Sequence, residues 1–198
     1  CGLSAEAIIQ YKGFLCMDWL PYIKPDPHII RKLGLNTDKK IVVFRESEMG
    51  AAYLFGTEDI SLPAIQQLAQ KHPDWIFIGR PRYEATELAH YFKNLDNILI
   101  LNKPVDLQSL LAKADLLIGG GATMCLEAAY YGTPVITCRP ISAPITNWLE
   151  SSALAWKGKT VENTVELAEE WISKRTTETA RKAFGGMEFP LRQLIQNI

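Results

Sequence analysis

One segment of the sequence has residue types and spacing that suit ligand binding: three consecutive glycines followed by a helix that carries a carboxylate. Gly119, Gly120 and Gly121 end an apolar segment and lead directly into a helical stretch that contains Thr123 and Glu127. Glycines let the backbone approach a ligand closely, and the free N–H groups at a helix N-terminus favour an anion such as phosphate. Glu127 lies one turn after Thr123 on the same helical face, where its carboxylate is well placed to accept hydrogen bonds from ribose hydroxyls.

A structural explanation fits the same spacing. Three glycines also permit tight packing of a strand against a helix, and the helix dipole favours a glutamate in the N-terminal half. Neither G-x-G-x-x-G with an acidic residue about 20 positions later nor G-x-x-x-x-G-K-[ST] occurs in this segment, so the common dinucleotide and P-loop fingerprints are absent. Spacing alone therefore leaves both explanations open.

Six short apolar segments predict the sheet that must position this turn. They are apolar on both faces, which is typical of a parallel sheet covered by helices on both sides, and intervals of roughly 20 residues leave room for one crossover helix each. The predicted fold class is α/β, a Rossmann-like parallel sheet of about six strands with helices on both faces. The predicted strands are 41–45, 75–79, 97–101, 115–118, 134–138 and 153–156, and the predicted helices are 60–71, 84–93, 106–113, 122–131 and 144–151.

The ends of the chain differ from this middle. Residues 24–27 predict a turn in which Asp26 is the N-cap of a short helix. Thr160 predicts the start of an amphipathic helix, and residues 185–186, both glycine, interrupt a helical C-terminal tail.

We expect residues 1–198 to form a single domain, because no repeat, low-complexity run or flexible linker occurs. Within it, we expect an N-terminal segment with a short helix (1–36), a strand and helix core (37–157) and a helical tail (158–198). The chain opens on Cys1 rather than Met, which we interpret as a piece of a longer protein whose N-terminal partner domain is missing. The alternative is a mature lipoprotein with lipid on Cys1, although lipoproteins usually continue with a polar tether.

Composition excludes several classes of function. Lys and Arg number 21 against 22 Asp and Glu, so no global basic field exists to gather nucleic acid or anionic lipid. The four cysteines form no C-x-x-C pair and the three histidines are scattered, which favours neither a metal site nor a disulfide framework. The longest nearly uncharged stretch is much shorter than the about 20 residues of a spanning helix. We expect a soluble, cytoplasmic protein without metal.

The segment around the glycines resembles a known family. Residues 104–115 predict a loop and a short helix ending in Ala-Asp, followed by a strand, the glycine-rich turn, Glu-Ala and Gly-x-Pro through Pro134. This order resembles the donor-binding half of GT-B glycosyltransferases, such as the peptidoglycan N-acetylglucosaminyltransferase, and of UDP-N-acetylglucosamine 2-epimerase. Residues 11–13, 24–27, the strand ending in Arg45 and the glycine segment also resemble the glycosyltransferase-like "domain of unknown function 354" family.

The resemblance implies a nucleotide-sugar site. The glycine turn and the start of its helix would hold the diphosphate, Glu127 would bind the ribose hydroxyls, and the backbone of a preceding loop would meet the base. Many members of the wider families carry Ser where Gly121 stands, so the diphosphate contact here would fall to backbone N–H groups and Thr123. The implied residues are Gly119, Gly120, Gly121, Ala122, Thr123, Met124 and Glu127, with Lys103, Pro104 and Val105 at the base.

Two arginines are further candidates. Arg45 and Arg80 both close predicted strands at the expected ligand edge, where either can neutralise phosphate, although a strand-terminal arginine is often only a solvated charge. Arg45 and the residues after it stand where 2-epimerases carry a His-Arg-Arg-Glu run, which weakens the epimerase interpretation.

A long loop and one histidine complete the candidates. Residues 46–57 are long enough to predict a mobile loop over the site. Met49, with the Tyr, Leu and Phe of residues 53–55, fits equally well a surface for the missing half. His72 precedes Pro73 at a predicted helix end, where a C-terminal cap is the simplest interpretation.

The resemblance implies the C-terminal half of a metal-independent GT-B-like glycosyltransferase that takes a UDP-sugar as substrate and needs no other cofactor. The acceptor, the catalytic base and any peripheral membrane contact would belong to the missing half, so the isolated chain should bind without turnover. The alternatives are half of a UDP-N-acetylglucosamine 2-epimerase-like enzyme and a non-catalytic nucleotide-binding or assembly module.

Overall fold

The computed structural model describes residues 11–48, 50, 52, 56–188 and 191. Within them, six strands and eight α-helices alternate along the chain, as the apolar segments predict. The strands are β1 (Ile41–Arg45), β2 (Ile76–Gly79), β3 (Ile98–Ile100), β4 (Leu116–Gly119), β5 (Val135–Thr137) and β6 (Ala155–Lys157). The helices are α1 (Ile29–Lys32), α2 (Ser61–Lys71), α3 (Ala85–Tyr91), α4 (Leu107–Lys113), α5 (Ala122–Tyr130), α6 (Pro144–Ser151), α7 (Val161–Trp171) and α8 (Thr177–Phe184).

All six strands join one parallel sheet in the order β3-β2-β1-β4-β5-β6. The chain builds outward from β1 to β3, then crosses back to β4 and builds outward on the other side. Ligands of such sheets bind at the carboxyl edge where the order reverses, here between β1 and β4. Arg45 and Gly119 are register partners at that edge. This topology confirms the predicted Rossmann-like fold.

Alternate strand residues enter two separate cores, one on each face of the sheet. On β1, Val43 packs with the cluster that includes α1, α4, α5, α6 and α8, whereas Val42 packs with the cluster of α2, α3 and α7. Both valines are fully buried, as expected for central strands covered on both sides. The two-sided burial explains why the strand segments are apolar without alternation.

The N-terminal helix differs from its prediction. Helix α1 begins at Ile29 with His28 as its N-cap, so the prediction of Asp26 as N-cap was wrong. The Asp26 carboxylate instead accepts the His28 N–H at 2.9 Å within a preceding turn and pairs with Lys32 at 2.6 Å. Ahead of that turn, the aromatic N-terminal segment forms two short 3₁₀ helices, Leu15–Asp18 and Leu20–Tyr22.

Two local predictions are confirmed, the N-cap of α7 and the C-cap of α2. The Thr160 side chain caps α7 by accepting the Asn163 N–H at 3.1 Å, and His72 is the C-cap of α2. Gly132 ends α5 with a φ of 73°, a left-handed conformation that favours glycine. Cys125 is buried and free, and burial raises the pKa of its thiol to about 12. None of the helices in the described ranges is long and apolar enough to cross a membrane.

Candidate functional site

A polar cleft of about 290 Å³ opens at the carboxyl edge of the sheet, where β1, β4 and β5 end. The topology and the register pair of Arg45 and Gly119 place it at the point of strand-order reversal. We call it the arginine cleft. Its lining residues are Arg45, Ser47, Glu48, Arg82, Gly120, Gly121, Ala122, Thr123, Met124 and Arg139.

Two of the three glycines of the turn, Gly119 and Gly120, are required by close packing. A Cβ at position 119 would lie 2.9 Å from the backbone oxygen of Arg45, and one at Gly120 would collide with the Ser47 side chain. The turn therefore brings the backbone of β4 against the loop after β1, and larger residues would push the two apart. Gly119 and Gly120 therefore have a packing role, although they pack against β1 and the loop after it rather than against a helix.

The same turn also leaves backbone N–H donors at the start of α5 without intrahelical partners. Gly121 is the N-cap of α5 in an extended conformation and supplies no side-chain cap. The Cys125 N–H makes a hydrogen bond of 3.1 Å to the Gly121 carbonyl, so the N–H groups of the preceding residues in α5 have no intrahelical acceptor. These donors and the positive end of the helix dipole belong to residues that line the cleft.

Three arginines contribute to the wall of the arginine cleft. Arg45 ends β1, Arg82 follows β2 and Arg139 follows β5. Burial, and then the neighbouring charges of Arg82 and Arg80, lower the pKa of Arg45. Its Nε atom is buried without a hydrogen-bond partner among the described residues. An anion would relieve both the charge repulsion and the unsatisfied donor.

Arg82 is held by the loop that follows β1. Its backbone N–H donates to Glu46 Oε1 at 2.7 Å, and its Nη1 donates to Glu48 Oε2 at 2.5 Å. The hydroxyl of Tyr83 also donates to Glu48, and this bond is the largest cause of the lowered pKa of that carboxyl. Arg82 Nη2 lies 3.2 Å from the position that a Cβ on Gly121 would occupy. The guanidinium therefore reaches from Glu48 to the glycine turn.

Glu127 lies on α5 but does not line the arginine cleft. It is only 6% exposed, and burial raises the pKa of its carboxyl. Hydrogen bonds from the side chains of Gln108 and Trp19 oppose that rise. The carboxylate therefore faces α4 and the 3₁₀ segment and is already bound to donors of the chain itself.

The other predicted site residues do not line the arginine cleft. Lys103 and Pro104 are exposed in the loop between β3 and α4, and Val105 packs against the core beneath α4. Arg80 donates from Nη1 to the Pro81 carbonyl at 2.9 Å and acts on the cleft through its charge on Arg45. The structure thus brings together Arg45 and the start of α5, whereas neither Glu127 nor residues 103–105 line this cleft.

Sequence reasoning missed Arg82 and Arg139 as cleft residues. Both follow predicted strands at the carboxyl edge, so the argument that selected Arg45 and Arg80 applies equally to them. Part of the loop after β1, including Met49 and residues 53–55, lies outside the described residues, so its prediction as a mobile loop stays a prediction. Across the described ranges, no group of three or more His, Cys, Asp or Glu is arranged to hold a metal ion.

Comparison with known proteins supports this architecture. The uncharacterized protein MJ0665 of Methanocaldococcus jannaschii is 33% identical over 119 residues, which cover 60% of this chain and 33% of that protein. The chain therefore spans a third of the length of the curated relative that it matches.

Solved structures share the fold at low identity. The S. aureus MnaA–UDP co-structure has a TM-score of 0.71 and 15% identity, over 99% of this chain and 55% of that one. WaaG, a glycosyltransferase of lipopolysaccharide biosynthesis, has a TM-score of 0.68 and 16% identity, over 90% and 52%. UDP-GlcNAc 2-epimerase from Neisseria meningitidis, bound to UDP-GlcNAc, has a TM-score of 0.58 and 13% identity, over 82% and 43%.

These matches show a GT-B-like fold that corresponds to about half of each neighbouring chain. A family profile described as "protein of unknown function (DUF354)" matches residues 7–195, nearly the whole sequence. The chain belongs to the DUF354 family.

Proposed function

We propose that the chain is the donor-binding half of a GT-B-like glycosyltransferase and binds a UDP-sugar. The observation that carries this proposal is the arginine cleft, in which three arginines line the N-terminus of α5 where the strand order reverses. Backbone N–H groups and guanidinium groups are strong donors for a diphosphate. Net charge of the whole chain is near zero, so this local arrangement must supply the attraction.

The ribose would bind at Glu127 and the base at the backbone of residues 103–105. Glu127 bonds to Gln108 of α4, and residues 103–105 lead into that helix. For the ribose to reach Glu127, its hydroxyls must replace or join the donors from Trp19 and Gln108. The hydrogen bonds of Glu127 would therefore have to rearrange when the nucleoside binds, whereas the phosphate would enter the arginine cleft without such a rearrangement.

Glycosyl transfer by the whole protein needs stabilisation of the departing diphosphate. The dipole of α5 and the guanidinium groups of Arg45, Arg82 and Arg139 supply positive charge at that position without metal. The acceptor and the catalytic base are assigned to a further half of the protein. The buried free cysteines fit a reducing compartment, and we propose a cytoplasmic location.

An epimerase is the second candidate, favoured by the structural likeness to UDP-GlcNAc 2-epimerase from Neisseria meningitidis. It would use the same donor site. The intact protein separates the two: consumption of UDP-N-acetylglucosamine without an acceptor indicates an epimerase, whereas dependence on an acceptor indicates a transferase.

Calorimetric titration of the chain with UDP, ADP and CMP tests the proposal. We expect UDP to bind more tightly than CMP, because the second phosphate gains donors from the cleft, and Glu127→Ala to weaken UDP binding. If none of the three nucleotides binds the wild type, the proposal fails. If Glu127→Ala binds as tightly as wild type, the ribose assignment fails while the phosphate assignment survives.

A further inference from the structure

We propose that a second cleft beside the first binds the primary ammonium group of an organic ligand with an apolar or aromatic body. This acidic cleft has a volume of about 290 Å³, lies between the ends of β1 and β2 and the helices α2 and α3, and shares Ser47 with the arginine cleft. Its lining residues are Glu46, Ser47, Asp59, Leu62, Tyr83, Glu84, Glu87, Leu88 and Tyr91.

The charge of the acidic cleft is opposite to that of its neighbour. Four carboxylates line it, and no Lys, Arg or His is among the described lining residues. Three arginines and one carboxylate line the arginine cleft. Two adjacent clefts of opposite charge attract groups of opposite sign, so the acidic cleft selects a cation.

Glu46 shows where the cation would bind. Its side chain is only 8% exposed, and its Oε1 accepts the backbone N–H of Arg82 at 2.7 Å. Its Oε2 is buried and has no hydrogen-bond partner within the described part of the chain. A buried carboxylate oxygen without a donor is costly, and an ammonium N–H would satisfy it.

Asp59 does not compete for this role. Its carboxylate accepts the Ser47 N–H at 3.0 Å, and the Ser61 N–H and hydroxyl at 2.8 and 2.5 Å. These bonds fix the turn before α2. Among the two inner carboxylates, Glu46 therefore has the free acceptor, while Glu84 and Glu87 are exposed at the rim.

The remaining walls fit an organic cation better than a metal ion. Tyr83 and Tyr91 present half-exposed rings, and Leu62 and Leu88 add apolar surface. Aromatic faces attract ammonium groups, and the apolar wall buries a carbon body. The carboxylates of the described residues do not converge on a metal position.

Calorimetric titration of the full chain with phenethylamine and its neutral analogue phenethyl alcohol tests the proposal. We expect the amine to bind about tenfold more tightly than the alcohol, because only the amine makes a charge-assisted bond. We expect Glu46→Gln to weaken amine binding about tenfold and Glu87→Gln about threefold, since Glu87 is exposed. Glu166→Gln on α7, outside both clefts, is the matched control and should bind as wild type does.

Equal affinity for the amine and the alcohol, or no binding of either, overturns the proposal. Unchanged amine binding in both Glu46→Gln and Glu87→Gln also overturns it. Because Glu46 holds the Arg82 backbone, its variant is checked by thermal denaturation, and Glu87→Gln carries the test if that variant does not fold. The UDP affinity of Glu87→Gln should equal that of wild type, which separates failure here from failure of the proposed function.

Discussion

The two sides of helix α5 are built in opposite ways. At its N-terminus the glycine turn and three arginines line an open cleft, in which Arg45 Nε has no acceptor among the described residues. One turn further on, Glu127 is buried and already accepts hydrogen bonds from Trp19 and Gln108. If the proposed function holds, phosphate would enter an open cleft, whereas ribose would have to displace or join the donors on Glu127. The two regions should therefore respond differently to mutation.

Loss of the arginines should have the largest effect. We expect Arg45→Gln with Arg82→Gln to weaken UDP binding about a hundredfold, since each removes a charge-assisted contact to phosphate. Calorimetric titration measures this loss. Arg181→Gln, which removes an exposed guanidinium outside the arginine cleft, is the control. A loss of equal size in Arg181→Gln would mean that general charge rather than the cleft holds the diphosphate.

Removal of the Glu127 carboxylate should affect nucleotide binding but not phosphate binding. We expect Glu127→Ala to weaken UDP binding about tenfold, because ribose hydroxyls lose their acceptor, and to leave pyrophosphate binding unchanged. Parallel titrations with UDP and pyrophosphate measure both values. An equal loss for both ligands would show that Glu127 supports the glycine turn and has no separate ribose role.

Substitution of Trp19 should change UDP affinity less, and in the opposite direction. We expect Trp19→Phe to tighten UDP binding about threefold, because it removes a donor that competes with ribose for the Glu127 carboxylate. A competition assay with labelled UDP has the precision for this change. Weaker binding by the variant would show that Trp19 orients the Glu127 carboxylate rather than competing with ribose for it.

The buried carboxyl should also make stability depend on pH. Burial raises the Glu127 pKa above its ordinary value of 4.5 in the folded protein. The folded state therefore binds the Glu127 proton more tightly than the unfolded state does. The resulting stabilisation of the folded protein is fully present below the ordinary pKa and is lost as the pH rises through the raised pKa of the folded state. We therefore expect the melting temperature of Glu127→Gln to rise relative to that of wild type as the pH increases from about 4 to about 7.

Thermal denaturation of both proteins across this range checks the prediction. A constant difference in melting temperature would show that Glu127 titrates alike in the folded and unfolded chains. Glu166→Gln on α7 removes an exposed carboxylate and should show little pH-dependent difference from wild type.

The strands could be predicted from sequence because burial on both faces leaves a local signature. All six predicted strands overlap observed ones, and the glycine turn was found because it joins a strand to a helix directly. The prediction of Asp26 as an N-cap was wrong because the turn through Pro27 delays the helix, and the aspartate binds Lys32 instead. Local rules describe an element well and its exact start less well.

The walls of the cleft could be predicted only in part. Arg45 was found because it ends a strand, but Arg139 meets the same turn only because β5 lies beside β4. Likewise, spacing predicts that Glu127 lies on the helix, but it does not predict the hydrogen bond from Trp19, which is more than a hundred residues away in the chain. Contacts between distant segments depend on the assembled sheet rather than on any local pattern.

The central claim is that the start of α5 binds the diphosphate of a nucleotide. The most direct measurement is the change in amide nitrogen and proton chemical shifts of the chain on titration with UDP, with uridine as reference. We predict the largest shifts specific to UDP at the N–H groups of Gly121, Ala122 and Thr123. Shifts that are equal for UDP and uridine, or that are largest away from this turn, would contradict the account.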